Sequence, residues 1–418
     1  MASPKMRVVE EANRRAIKRV LASDPWLVGV KPAREVVRGL APNMILHAAP
    51  PTTWDEMCDL LRGGMIGAAL FEGLAATAEE AEAKARSGEL AFAAAQDYGA
   101  MAGGVGSITA SLPVMMLEDH ATGQRSCHFL MEGFGKTLVL GMYDDEVLER
   151  LRWFRDELGP ALDRALRAIG GIALRPVIVE ALRRGDELHN RNAAATSMLA
   201  ERLAPGFTRA GVPLALQERA FALMAGNPQF FVPASLAVCG LAMNAAAGVE
   251  GSSLVTSVGA NGRDCGIKVA GLANRWFTAP GEAPEGIYLE GFGPADAGPP
   301  CGDSMLVECA GLGATVLPAS PVLWPVLGVD EARARQIFED TYKIALCEHP
   351  DYRVPIMGNR GAPTGIDLLR VLETGIRPVI DIVMVHPERG RGLTGFGLVS
   401  PPMACFEQAG AAFRERYG

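Results

Sequence analysis

Residues 228–248, PQFFVPASLAVCGLAMNAAAG, form a 21-residue run without a single charge. A run of that kind ends either in a bilayer or inside a core large enough to enclose it. Pro233, Ser235, Gly240 and Asn244 interrupt it and no Lys or Arg flanks it, so the reading is a buried central helix. Enclosing such a helix takes a long chain. The 418 residues here suffice for two to four domains at about 100–200 residues each.

The formal charge of −8 and the absence of long Lys/Arg runs exclude a field suited to nucleic acid, and no membrane association is expected. The opening MASPKMRVVEEANRRAIKRV is charged every few residues and lacks the apolar core of a secretory signal, so a cytoplasmic location is expected. Eight scattered cysteines without a CxxC pair read as reduced, mostly buried thiols.

The expected fold class is α+β (mixed α/β) and multi-domain. An N-terminal α/β domain spans 1–143, a helical domain 144–250 and a C-terminal mixed α+β domain 251–418. After an N-terminal helix, NMILHAAPP, MIGAALFEG, AFAAAQD, PVMMLEDH, RSCHFLMEG and KTLVLGMY read as strands, while TTWDEMCDLL and TAEEAEAKAR read as helices. From Asp144 the period turns helical, with an acidic start and a Gly170-Gly171 stop. Beyond 250, Asn261-Gly262 predicts a hairpin, GIYLEG and RPVIDIVMVH predict strands, and helices are expected around 330–346, 366–373 and 403–415.

HExxH, GxxxxGK[ST], GxSxG and a post-strand GxGxxG are all missing, which removes the main support for metalloprotease, P-loop, hydrolase and dinucleotide readings. GAMAGGVGSITAS (99–111) reads as a tight connection or as a backbone anion cradle. GDELHNRN (185–192) poses the sharper question. As a helix it would pair Glu187 with Arg191 on the surface, yet it would leave His189, Asn190 and Asn192 without a purpose. Their imidazole and amide groups suit a small planar polar substrate.

The hairpin tip offers Asn261, Arg263 and Asp264 with Lys268 beyond, and Cys265 reads as structural. Asp303 and Ser304 read as a helix cap that also favours an anion. Pro363, Thr364 and Gly365 ahead of Asp367, Arg370 and Glu373 look like a binding loop, although Arg370 and Glu373 can pair with each other. His120 and His128 read as neighbours on a surface ladder, and His47, His349 and His386 as structural. Nothing in their spacing requires a metal.

Taken together, NMILHAAPPTTWDEM, GAALFEGLA, LMEGFGK, GDELHNRN, RWFTAP, GDS, TGIDLLRVLETGI and ACFEQA resemble the YlbE/AllG-type family, in order from about residue 5 to 415. The resemblance implies a subunit of the bacterial oxamate carbamoyltransferase of allantoin catabolism. It also implies an FdrA-type partner and a third small subunit, with no metal or organic cofactor in this chain. The implied reaction moves a carbamoyl group between oxamate nitrogen and phosphate. On that footing His189, Asn190, Arg191 and Asn192 are catalytic candidates. Asn261, Arg263, Lys268, Arg275, Asp303, Ser304, Thr364 and Asp367 are substrate-binding candidates.

The STRT-like loop and HPxQ segment of ordinary transcarbamoylases are absent; HPDY and HPER do not replace them, so their mechanism is not transferable. ANGRDCGIKVAG and FFVPASLAV are less typical of the family and leave room for a paralogue acting on another carbamoyl or amide compound. A non-catalytic assembly subunit, an independent amidohydrolase and a homo-oligomer also stay open.

Overall fold

The computed structural model describes residues 4–133, 135–272 and 274–418, with side chains from Arg7 onward. The apolar run forms the helix Val232–Asn244, with Pro233 in the first turn, where a missing N–H costs nothing. Apart from Ala242 and Asn244 every residue of it is buried. It lies against the helix Pro4–Ala22, the strands Pro113–Asp119, Arg125–Phe129 and Val255–Asn261, and the 3-10 helix Asp303–Ala310. Gly240 permits close packing, since a Cβ there would stand 2.9 Å from the Met101 side chain. Among the described residues no helix is long and apolar enough to cross a membrane.

Small sheets occupy both ends of the chain. An antiparallel sheet runs Arg125–Phe129, Pro113–Asp119, Pro25–Pro32, Ile172–Ala173, and a second runs Ala91–Ala94, Met44–His47, Gly106–Ile108. Toward the C-terminus the orders are Phe277–Pro280, Asp264–Val269, Val255–Asn261, Cys301–Gly302, and Glu285–Tyr288, Leu393–Val399, Ile380–Val385. Between them lies the helical stretch from Asp145 to Asn244, as the change of period predicts. Asp144 caps it by accepting the Val147 N–H, and Gly170 ends the helix Gly159–Ile169 with φ +77°. One apolar cluster includes residues from Ala12 to Phe413.

Four local expectations fail. MIGAALFEG is not a strand: it belongs to the helix Asp59–Glu72, whose Gly63, Gly64 and Gly67 seat it tightly against Gly141, Val105 and Leu138. An apolar run buried on every side has no alternation from which to tell strand from helix. KTLVLGMY forms a 3-10 turn, Leu138–Leu140, packed on that helix. TTWDEMCDLL holds only a 3-10 turn, Trp54–Glu56, before the helix starts. The expected binding loop around Thr364 is the strand Arg360–Ile366, paired with Ala345–Val354, a hairpin that the turn-rich sequence concealed.

The Asn261 hairpin exists, with its turn shifted by one residue. Gly262 takes φ +82° and Arg263 follows it, while Asn261 is buried and its Oδ1 accepts the Arg263 and Asp264 N–H groups.

Candidate active site

GDELHNRN is a loop, not a helix. The helix Arg175–Arg183 ends just before Gly185, at φ +91°, and the next helix starts at Ala193. Leu188 adopts φ +73°, and its carbonyl accepts the Ser235 hydroxyl from the central helix. The acidic pair braces this shape from inside. Asp186, fully buried, accepts the Ala195 N–H at 2.9 Å, and burial pushes its pKa up to about 6. Glu187, equally buried, accepts the N–H groups of His189 at 2.6 Å and Arg191 at 2.5 Å. The expected Glu187–Arg191 surface pair is therefore absent: the Arg191 guanidinium pairs with Asp186 and donates to the Gly185 carbonyl. Asn192 donates to the His189 carbonyl and to Gln229.

This bracing sets His189 and Asn190 in the wall of a narrow cavity of about 80 Å³. Apolar side chains of Val232, Leu236, Ile382 and Val383 form much of the wall, and Gln229, Ser304, Gly103, Gly104 and Gly133 add polar groups. A mostly apolar concavity with a few converging polar groups is the usual form of a small-molecule site. Gly103 and Gly104 come from the glycine-rich loop. His128 holds that loop: its Nδ1 donates to the Phe129 carbonyl at 2.7 Å, and its Nε2 accepts the Gly103 N–H at 2.9 Å. That tautomer is neutral, and burial lowers the His128 pKa to about 4. The expected surface ladder with His120 does not form, because His128 is buried and His120 lies in the turn, stacked on Trp26.

Behind His189 stand two carboxyl groups that the sequence reading missed. Nδ1 lies 2.9 Å from Glu308 Oε1 and 3.4 Å from Asp381 Oδ1, and Asn190 Nδ2 donates to Asp381 Oδ2 at 2.9 Å. With Nδ1 engaged there, Nε2 is the ring nitrogen without a hydrogen-bond partner among the described residues. Burial opposes the charged imidazole, but the two acids outweigh it and hold the His189 pKa well above its usual value. Burial pushes Glu308 up to about 8 despite His189 beside it, while Asp381 is held low against its own burial by His189. The signal in sequence was a lone acid inside an apolar run, SMLVECAG and VIDIVMV.

The remaining candidates scatter. Ser304 joins His189 and Asn190 on the cavity wall. Asp303 does not cap its own helix. Fully buried, it accepts the N–H groups of Ala49 and Ala102 and the Gln96 amide, each at 2.8 Å, and so ties the glycine-rich loop to the rest of the core. Asn261 and Arg263 lie at the hairpin turn, where Arg263 pairs with Glu56. Lys268 is buried against Asp97 and Asn274, and Arg275 lies over the Phe277 ring. Thr364 is buried in its strand, and Asp367 caps the helix Leu368–Thr374 while accepting the Ser253 hydroxyl. None of these seven, from Asp303 to Asp367, lines the cavity.

The family model for oxamate carbamoyltransferase subunit AllG matches residues 90–304. The chain is 37% identical to the uncharacterized protein YahG of Escherichia coli (strain K12), over 100% of this chain and 88% of that one. Oxamate carbamoyltransferase subunit AllG of the same organism is 36% identical, over 98% of this chain and 99% of its own length. A crystal structure of a conserved protein of unknown function from Enterococcus faecalis V583 shares the fold with a TM-score of 0.98 and 34% identity, over 100% of both chains. With a family model spanning half its length and full-length relatives above 30% identity, the chain belongs to the AllG family of oxamate carbamoyltransferase subunits.

Proposed function

We propose that this chain is a carbamoyltransferase subunit whose cavity takes oxalurate or oxamate, in purine and allantoin catabolism. In the direction of cleavage, a phosphate oxygen bonds to the carbamoyl carbon. The bond from that carbon to the oxamate nitrogen breaks, and the nitrogen takes up a proton. The observation that carries the reading is the polar wall itself. His189 lines the cavity with Nδ1 held by buried acids, and among the described residues Asn190 Oδ1 accepts no hydrogen bond and the Gly104 N–H donates none. These groups suit a donor to the departing nitrogen, an acceptor for the carbamoyl amide and a donor to the developing oxyanion. Cys301 also touches the cavity, but burial holds its thiol pKa well above the ordinary range, which disfavours a thiol amidohydrolase.

A shared site is favoured by one further observation: among the described residues no Lys or Arg lines the cavity. A phosphate dianion calls for positive charge, and an FdrA-type subunit with a third small subunit would supply it. The test is phosphate-dependent cleavage of oxalurate, followed as carbamoyl phosphate, with the chain alone and with both partners. Turnover is expected only in the mixture, and His189→Gln should lower kcat by at least about 100-fold with near-UV CD unchanged. Silence from a folded, assembled mixture, or full activity of His189→Gln, refutes the proposal.

A further inference from the structure

We propose that His189 Nδ1, Glu308 and Asp381 form a binding site for one divalent first-row transition cation of the Mn2+ to Zn2+ class. Three observations converge on it. The first is charge. Glu187, Glu308 and Asp381 are all fully buried, and among the described residues none pairs with a Lys or Arg. The nearby Arg191 guanidinium is already engaged by Asp186 and Gly185. One imidazole balances only one of these acids, so without a metal the others stay in the core by holding protons, as the Glu308 pKa of about 8 reflects, and a divalent cation would take the place of those protons.

The second is unused donor atoms. Among the described residues Glu308 Oε2 and Asp381 Oδ1 are buried and accept no N–H or hydroxyl, and they belong to two acids that meet beside the ring, close enough for one proton or one cation to sit between them. Most buried polar atoms are satisfied, so two adjacent orphans on two acids are unusual.

The third is geometry. Ligands at roughly 2.0–2.2 Å from a metal stand about 2.9–3.5 Å apart when they are neighbours in octahedral or tetrahedral arrangements. Nδ1 is 2.9 Å from the Glu308 oxygen and 3.4 Å from the Asp381 oxygen. The longer separation is a poor hydrogen bond but an ordinary ligand-to-ligand distance. One imidazole with two carboxylates suits Mn2+, Fe2+ or Zn2+ better than the softer thiolate-seeking ions. The three residues come from a loop, a 3-10 helix and a strand, so no sequence spacing announces the set.

The inference deepens the proposed site, because a cation on Nδ1 fixes the neutral tautomer with the proton on Nε2 and adds positive charge near an anionic substrate. Its test does not need turnover. The purified full-length chain is stripped with EDTA and exposed separately to Zn2+ and Mn2+. Bound metal is counted by mass spectrometry after desalting, and affinity is measured by calorimetry.

One equivalent per chain is expected with at least one of the two metals, with binding weakened at least 100-fold in both Glu308→Gln and Asp381→Asn. Less than a tenth of an equivalent with both metals overturns the site, as does equal uptake by wild type and both variants. Should the variants fail to fold, anomalous scattering from wild-type crystals soaked in Zn2+ decides. A peak among the three ligand atoms supports the site, and a peak elsewhere or none overturns it. A fully loaded protein that never cleaves oxalurate would refute the proposed reaction and leave the metal site standing.

Discussion

His128 is buried and neutral because both ring nitrogens are committed. Nδ1–H serves the Phe129 carbonyl, and Nε2 accepts the N–H of Gly103, a residue of the cavity wall. Protonating Nε2 would set two donors against each other inside the core. Burial lowers its pKa in the folded protein to about 4, below the ordinary histidine value of 6.5. The unfolded chain therefore binds the extra proton first, and the sign follows: this contribution is complete above pH 6.5 and is lost as pH falls toward 4. At about 1.4 kcal/mol per pH unit, the loss between pH 8 and pH 5 is about 2 kcal/mol.

The perturbation is His128→Gln, which removes the titration. Urea unfolding of both proteins at pH 8, 7, 6 and 5 gives two curves whose difference cancels most other ionisable groups. The stability advantage of wild type should shrink by about 2 kcal/mol across that range, most of it below pH 6.5. A difference that stays constant within about 0.5 kcal/mol would refute the assigned tautomer and its burial cost.

Two other perturbations test the placement of residues away from the cavity. Asp303→Ala strands two backbone N–H groups and weakens the hold on Gln96, so it should cost about 2–5 kcal/mol in urea unfolding at pH 6; a loss under about 1 kcal/mol would contradict its bracing role. Lys268→Met leaves Asp97 without its cation and should cost up to about 3 kcal/mol, since Asp97 is partly solvated. The KM for phosphate of the assembled enzyme should stay unchanged, and a tenfold rise in it would return Lys268 to the phosphate site.

Much of the chain was readable because its signals are local. Asp144 and Gly170 bound the helical stretch through groups a few residues away, Gly262 dictates a turn by its own φ, and Gly123 does the same between Pro113–Asp119 and Arg125–Phe129. Errors fell where no local contrast exists. The helix Asp59–Glu72 is apolar on most of its surface, so its period vanishes, and the strand Arg360–Ile366 is built from Gly, Ala, Pro and Thr, which read as turn.

Sequence by itself determined the mixed class, the buried central helix and the family, and it singled out GDELHNRN, since unusual residue types in an apolar chain are visible one at a time. It did not determine what those residues do. Read as a helix, the segment put Glu187 on the surface; the fold turned Glu187 inward as an acceptor for two backbone N–H groups and aimed His189 at a cavity. The acids that set the state of that imidazole arrive from 119 residues away at Glu308 and, beside Asn190, from 191 residues away at Asp381. Hydrogen bonds and desolvation act over a few ångströms of space, whereas sequence patterns act over a few residues of chain, so only the tertiary structure decides which buried charges must share one proton or one cation.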